Sequence, residues 1–120
     1  MPYIDGFVVP VPAGNRDAYL EAARKGWNAF QKFGALQMVE TLSDNIPDGK
    51  KTDFRRAVAA EAGEIVAFSW IIWPDKATRE TAWEKMMTDP DLAARGEMPF
   101  DASRMIYGGF APIFDSEDMP

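Results

Sequence analysis

The 120-residue sequence predicts an α+β domain of the ferredoxin-like, split βαβ type, and two observations support this prediction. The elements follow one another as strand, helix, strand, strand, helix, strand (β-α-β-β-α-β), so the chain reads as two similar halves. The stretch from Glu64 to Pro74 is apolar on both of its alternating faces, which is typical of a strand in the middle of a sheet. Right-handed crossovers then give a four-stranded, antiparallel-type sheet with both helices on one face.

Within this sheet we expect the first and third strands to be central and to run parallel to each other. The face without helices is left bare and apolar. Burying such a face contributes roughly 25 cal/mol per Å², which favours closing it against an identical sheet. The sequence therefore predicts a homodimer in the form of a two-subunit α/β barrel, with residues 1–120 as one domain.

The first half of the chain contains a strand, a helix and a second strand. Residues 3–11 alternate as a strand that Pro10 and Pro12 close. After Asn15, a candidate N-cap, apolar residues recur at helical spacing, namely Leu20, Ala23, Trp27 and Phe30. Gly34 is placed to end this helix, and residues 35–43 alternate again as the second strand.

The second half begins with a polar loop over residues 44–51. Residues 52–60 are interpreted either as a short helix, capped by Thr52 or Asp53, or as an extended arm. Asp75 is the N-cap predicted for the second long helix. A further short helix is expected with Asp89 as its cap, Pro90 in its first turn and Gly96 at its end. Residues 104–114 form the predicted last strand.

Composition excludes several classes of function. The chain has no histidine and no cysteine, which removes histidine-based triads, thiolate nucleophiles and most zinc and haem sites, so we expect neither a metal nor a cofactor. The net charge of −6 opposes nucleic-acid binding, which depends on clustered Lys and Arg. No apolar run approaches the roughly 20 residues of a membrane helix, and the amino terminus lacks a signal segment, so we expect a cytoplasmic protein without membrane contact.

Asp5 is the most informative single residue, because a carboxylate on a central strand costs free energy unless it is paired. With the first and third strands parallel, Asp5 would lie near the start of the third strand, into which Arg55 and Arg56 lead. We therefore predict a structural ion pair for Asp5, with a catalytic role as the alternative.

Three further residues are candidates for chemistry. Glu40 shares a strand face with apolar side chains, so it is a candidate base or ligand-binding carboxylate; solvent exposure is the simpler interpretation, because its strand is a sheet edge. Arg104 and Tyr107, placed beside the end of the central strand, are candidates to hold an anionic substrate or an enolate. The competing interpretation is a salt bridge for Arg104 and packing in the sheet for Tyr107.

Aromatic and methionine residues are candidates for lining a ligand pocket, with simple core packing as the alternative. The set consists of Trp27, Trp70, Trp73, Trp83, Met86 and Met87. Gly108 and Gly109, inside the last strand, predict a bulge.

Five motifs taken together resemble the YbaA-like domain-of-unknown-function family of small bacterial proteins. They are Asp5-Gly-Phe-Val, Thr52-Asp-Phe, Phe68-Ser-Trp with Trp73-Pro, Met98-Pro-Phe-Asp101 and Arg104-Met-Ile-Tyr-Gly-Gly-Phe110, and they span nearly the whole chain. The resemblance implies membership of the dimeric α/β-barrel superfamily, which also holds cofactor-independent monooxygenases of the antibiotic-biosynthesis type. It implies no particular activity for this chain, and the haem-degrading members of the superfamily use a histidine that this chain lacks.

Two hypotheses about function follow. In the first, a homodimer binds a small organic molecule between sheet and helices, and any reaction there is of the cofactor-independent monooxygenase or enolate type. In the second, the protein is a non-enzymatic dimer with a solid barrel and an unknown protein partner or stress role. A large apolar cavity that contains Asp5, Glu40 or Arg104 favours the first hypothesis, and a packed interior favours the second.

Overall fold

The computed structural model describes residues 1–90 and 98–118, which form a four-stranded sheet covered on one face by two long helices. The strands are β1 (Tyr3–Pro12), β2 (Gln37–Leu42), β3 (Glu64–Trp73) and β4 (Ile106–Phe110), and the helices are α1 (Arg16–Lys32), α2 (Phe54–Ala57) and α3 (Lys76–Met87). The strand order is β2-β3-β1-β4, and every neighbouring pair is antiparallel. The ferredoxin-like fold class is therefore confirmed.

The predicted parallel pairing of the two central strands is wrong. β1 and β3 are adjacent and central, as expected, but they run antiparallel, with Tyr3 opposite Trp73. In a split βαβ unit the crossover helix joins two parallel strands, and the strand inserted between them runs the other way. Here β1 and β2 are the parallel pair and β3 lies between them. Consequently the start of β1 meets the end of β3, and the first residue of β4, Ile106, lies level with Phe68 in the middle of β3.

Helix α1 ends as predicted, and most of its predicted apolar stripe packs towards the sheet, with Leu20 as the exception. Gly34 follows it with a φ of 110°, a left-handed conformation that favours glycine. Tyr19 and Gly26 are the buried residues of the helix, whereas Leu20, placed in the predicted apolar stripe, is 46% exposed. Asn15 occupies the N-cap position, but its side-chain amide donates to the carbonyl of Pro99 at 2.9 Å rather than to the helix.

The segment before β3 contains the short helix α2, so the extended-arm interpretation is wrong. Asp53 caps α2 by accepting a hydrogen bond from the backbone N–H of Arg56 at 2.8 Å. The ring of Phe54 packs edge-on against Phe68 of β3 with centroids 6.1 Å apart. Phe54 therefore contacts the sheet face that α1 and α3 leave bare.

Strand β4 is shorter than predicted and is not bulged. Arg104 lies before it, in a 3₁₀ turn, and the pairing with β1 runs without interruption through Gly108 and Gly109. Gly109 is needed for packing, because a Cβ there would lie 2.5 Å from the hydroxyl oxygen of Tyr3. Most of the short helix predicted from the Asp89 cap to Gly96 falls on residues 91–97, which lie outside the described residues.

The sheet has one covered and one open face. On the covered face, the two core clusters contain Ile71, Trp73, Ala82 and Met86 in one, and Val9, Val11, Tyr19 and Ala67 in the other. The open face, called the bare face below, presents Ile4, Val8, Phe68, Trp70, Ile72, Ile106 and Phe110. Phe68 remains 44% exposed there and Phe110 62%. Among residues 1–90 and 98–118, no helix has the length and apolar character needed to span a membrane.

Candidate functional site

A cavity of about 330 Å³ lies between the covered face of the sheet and the long helices. Its walls are mainly apolar, with aromatic rings from Phe7, Phe30, Trp83 and Phe100 and thioethers from Met38, Met86, Met87, Met98 and Met105. The space exists because α1 faces it with the small residues Ala22, Ala23 and Gly26, which do not fill the gap to the sheet. A volume of this size falls within the range of small-molecule sites.

The polar side chains among the described lining residues form one cluster of Tyr19, Glu40 and Ser69. Glu40 of β2 and Ser69 of β3 are directly opposed across the two strands, so both point to the covered face. Tyr19 reaches them from α1, and its hydroxyl donates to Oε1 of Glu40 at 2.5 Å. The ring of Phe100 contacts that of Tyr19 with centroids 5.7 Å apart. Three elements of the fold thus bring one carboxylate and two hydroxyls together at the cavity.

Burial changes the acid–base behaviour of this cluster. It raises the pKa of the Glu40 carboxyl above its usual range, and hydrogen bonds with Tyr19 and Ser69 partly oppose that rise. Burial and then the negative charge of Glu40 raise the pKa of the Tyr19 hydroxyl, which therefore stays protonated at neutral pH. A distance of 2.5 Å is typical of a hydroxyl that donates to an ionised carboxylate.

The interpretation of Glu40 as a solvent-exposed edge residue is wrong, because its side chain is half-buried and accepts a hydrogen bond from Tyr19 of α1. Tyr19 was not recognised as a site residue from the sequence. The signal was nevertheless present, since Tyr19, Ala22 or Ala23, Gly26 and Phe30 also recur at helical spacing. That stripe shares Ala23 and Phe30 with the predicted one. It differs in placing Tyr19 and Gly26, rather than Leu20 and Trp27, towards the cavity, and only packing against the sheet decides between the two.

Asp5 lies outside the cavity lining and is fully engaged by donors. The guanidinium of Arg79 contacts it through Nη2 at 2.7 Å and through Nε at 3.1 Å to both carboxylate oxygens. The indole N–H groups of Trp73 and Trp83 donate to Oδ2 at 2.8 and 3.0 Å. The predicted pairing with Arg55 or Arg56 is wrong, because antiparallel strands place Asp5 opposite Ile71, near the end of β3, from which α3 continues to Arg79.

This ion pair shapes the cavity indirectly. Trp83 lines the cavity, and its N–H bond to Asp5 holds the indole in place. Hydrogen bonds from Arg79 to Asp5 raise the pKa of the guanidinium further, so the arginine remains charged. The Asp5 and Arg79 side chains are 2% and 19% exposed, respectively, which is typical of a structural pair.

Arg104 and Tyr107 do not form a common ligand mouth. Arg104 lies at the end of the sheet opposite to the one expected, where Nη1 and Nη2 each contact a carboxylate oxygen of Glu64 at 2.7 Å. Its Nε donates to Asp101 at 3.0 Å, and Nη1 also donates to the carbonyl of Ala59. Tyr107 is 70% exposed and stacks on Phe7 with centroids 6.4 Å apart. The two side chains have separate partners.

The predicted pocket-lining residues separate into three environments. Trp83, Met86 and Met87 line the cavity, and Met87 is exposed at its edge. Trp73 is fully buried and Trp27 packs against the same core cluster. Trp70 lies on the bare face, where it contacts Phe68. Among the described part of the chain, no group of acidic side chains is arranged to hold a metal ion.

The Arg104–Glu64 pair predicts a specific pH dependence of stability. Hydrogen bonds from Arg104, and secondarily from the backbone of Glu61, lower the pKa of Glu64 to about 2. Because the pKa is lower in the folded than in the unfolded chain, the pair stabilises the protein above about pH 5 and loses its contribution as pH falls towards 2. The free energy of unfolding of Arg104→Met should therefore be lower than that of the wild type at neutral pH and approach it in acid.

Urea titrations at several pH values test this dependence. Arg24→Met is the matched control, because Arg24 is 69% exposed and pairs with an exposed Glu21 at 3.8 Å. We expect a small and pH-independent change for this control. An Arg104→Met defect that stays constant down to pH 2 would contradict the assignment.

The sheet order and the placement of both helices on one face define a fold shared with solved oxygenase structures. A putative antibiotic biosynthesis monooxygenase from Bacillus cereus superposes with a TM-score of 0.55 at 14% sequence identity, covering 95% of each chain. SnoaB, a cofactor-independent oxygenase from Streptomyces nogalater, superposes with a TM-score of 0.50, also at 14% identity and 95% of each chain. At such identity the likeness establishes the fold alone.

The chain belongs to the family described as protein of unknown function (DUF1428), whose model matches residues 2–102. It is 56% identical over 116 residues to YbaA, an uncharacterized protein of Escherichia coli, covering 96% of this chain and 99% of that protein. YbaA of Shigella flexneri matches to the same extent. The resemblance drawn from the sequence motifs is thereby confirmed.

Proposed function

We propose that the protein binds a small, largely apolar organic molecule in the cavity between the sheet and helices α1 and α3. The observation that supports this most directly is the cavity itself, about 330 Å³ with mainly apolar walls. Its polar cluster of Tyr19, Glu40 and Ser69 gives the ligand a fixed orientation, because a polar group of the ligand is drawn to one end of an otherwise apolar space. The small side chains of α1 maintain this volume at the expense of core packing, which favours a binding role over a solid interior.

We further propose that two copies close their bare faces against each other. Phe68, Ile106 and Phe110 on this face are 44%, 46% and 62% exposed, and together they form a continuous apolar surface of the kind found at protein interfaces. A second copy carries an identical surface, so an isologous contact buries both at once. The ligand cavity lies on the opposite side of the sheet, so dimerisation leaves it available.

A thermal-shift screen of apolar fragments tests the binding proposal. At a ligand concentration about ten times Kd, binding stabilises the folded state by about 1.4 kcal/mol and raises the midpoint by several degrees. Ala23→Phe fills the cavity from α1, and we expect it to abolish the shifts that wild type shows.

Ala18→Phe is the matched control, because Ala18 is an exposed alanine of the same helix and does not line the cavity. We expect this variant to retain the wild-type shifts. Shifts that persist unchanged in Ala23→Phe, or the absence of any shift for wild type, would contradict binding in this cavity.

A further inference from the structure

We infer that the cavity selects apolar molecules that carry a protonated amine, an inference that rests on the proposed binding function. The geometry behind it is the position of a single carboxylate, Glu40, in a cavity whose described lining contains no Lys or Arg. The hydrogen bonds and the charge of Glu40 determine which class of ligand can bind beside it.

The polar cluster has few hydrogens to donate to a ligand. The hydroxyl of Tyr19 has one hydrogen, which is directed to Oε1 of Glu40. Ser69 lies directly opposite Glu40 across the strands, and its hydroxyl lowers the pKa of both the Glu40 carboxyl and the Tyr19 hydroxyl, so it faces the other two groups of the cluster. The cluster therefore offers a ligand mainly hydrogen-bond acceptors, namely the free lone pairs of the carboxylate and of the hydroxyl oxygens. A ligand that donates hydrogen bonds fits this site, and one that only accepts does not.

Charge separates the remaining classes of ligand. Three cations of the described part of the chain are paired elsewhere: Arg79 with Asp5, Lys32 with Asp89 and Arg104 with Glu64. None of them lines the cavity, so Glu40 has hydrogen bonds there but no ionic partner among the described residues. An ammonium group supplies the missing countercharge in an environment where charges interact more strongly than in water. A carboxylate or phosphate ligand would instead be repelled.

Two other properties of the chain agree with a cationic ligand. The net charge of −6 produces a long-range field that attracts cations and repels anions. The cavity walls carry aromatic rings and thioethers, including Phe30, Trp83 and Met86, which suit the apolar body of such a ligand. Aromatic faces also tolerate a nearby ammonium through cation–π attraction.

Three commercial indole compounds of similar size separate the classes. Tryptamine carries an ammonium at neutral pH, tryptophol a neutral hydroxyl, and indole-3-acetate a carboxylate. Isothermal titration of the full chain should give tryptamine a Kd about tenfold or more below that of tryptophol, with indole-3-acetate weakest. In Glu40→Gln the advantage of tryptamine over tryptophol should fall to about twofold or less, because the amide keeps the shape and an acceptor but removes the charge.

Glu84→Gln is the matched control, because Glu84 is exposed on α3 and the substitution removes the same charge away from the cavity. We expect the amine preference of wild type to persist in it. Equal losses in Glu40→Gln and Glu84→Gln would show general surface attraction and overturn the inference.

The remaining outcomes are equally decisive. Tryptophol or indole-3-acetate binding as tightly as tryptamine to wild type overturns the amine assignment but leaves the proposed binding function intact, provided that Ala23→Phe loses the binding. No binding of tryptamine at millimolar concentration also overturns the assignment. The binding function itself fails only in the fragment screen, so the two failures are distinguishable.

Discussion

Replacement of Asp5 by alanine should lower the free energy of unfolding by about 3–5 kcal/mol. The substitution leaves the guanidinium of Arg79, whose side chain is 19% exposed, without its carboxylate, and it removes the acceptor of two indole N–H groups. Unsatisfied buried donors and an unpaired charge are among the few changes that produce effects of this size. Urea unfolding of wild type and variant at neutral pH measures the difference.

The control for this experiment is Asp44→Ala, in an exposed loop position, for which a change within about 0.5 kcal/mol is expected. The double variant Asp5→Ala with Arg79→Met should be less destabilised than the sum of the two single variants, because removing both partners leaves no unpaired charge. A loss of less than about 1 kcal/mol for Asp5→Ala, or strict additivity in the double variant, would contradict a structural role for the pair.

Phe68→Asp should convert the proposed homodimer into a monomer, with a rise in the dimer dissociation constant of about 100-fold or more. Phe68 is on the central strand β3 and its side chain points from the middle of the bare face, so an aspartate there places an unpaired carboxylate inside the contact. Sedimentation velocity over a range of micromolar concentrations measures the change. Circular dichroism establishes that the variant is still folded.

Leu20→Asp is the matched control, because Leu20 is 46% exposed, close to the 44% of Phe68, but lies on α1 away from the bare face. We expect this variant to dimerise as wild type does. A second variant on the same face, Phe110→Asp on the edge strand β4, should weaken the dimer as well. A wild-type protein that sediments as a monomer would contradict the proposal. If both Phe68→Asp and Phe110→Asp remained dimeric, the contact between copies would not be on the bare face.

The two faces of the sheet have different proposed roles, ligand binding on the covered face and contact between copies on the bare face. The covered face carries the cavity and the Tyr19–Glu40–Ser69 cluster, and the bare face carries the proposed contact between copies. Trp83 links the ion pair of Asp5 to the cavity wall, so damage to that pair should weaken ligand binding as well as stability. The ion pair of Asp5 and the cavity are therefore distinct sites that affect each other through Trp83.

The sequence by itself determined the elements of the fold and their order in the sheet. Apolar periodicity, the caps at Asp53 and Asp75 and the stop at Gly34 are local signals, so they predicted the helices without knowledge of any long-range contact. The central position of β1 and β3 followed from the order of the elements, the handedness of crossovers and the two apolar faces of β3. The family motifs are local in the same sense. Caps, stops and periodicity each involve residues that are close together in the chain, so they can be read without the tertiary structure.

Tertiary structure alone decided which side chains meet. Because β1 and β3 are antiparallel, Asp5 pairs with Arg79 and not with Arg55 as expected. For the same reason Arg104 lies at the other end of the sheet, where it pairs with Glu64. The rotation of α1 about its axis brought Tyr19, rather than Leu20, onto Glu40. Strand direction and helix rotation depend on how whole elements pack, and either of two neighbouring stripes on α1 satisfies the local pattern. The cavity exists because packing placed the small residues Ala22, Ala23 and Gly26 of α1 towards the sheet.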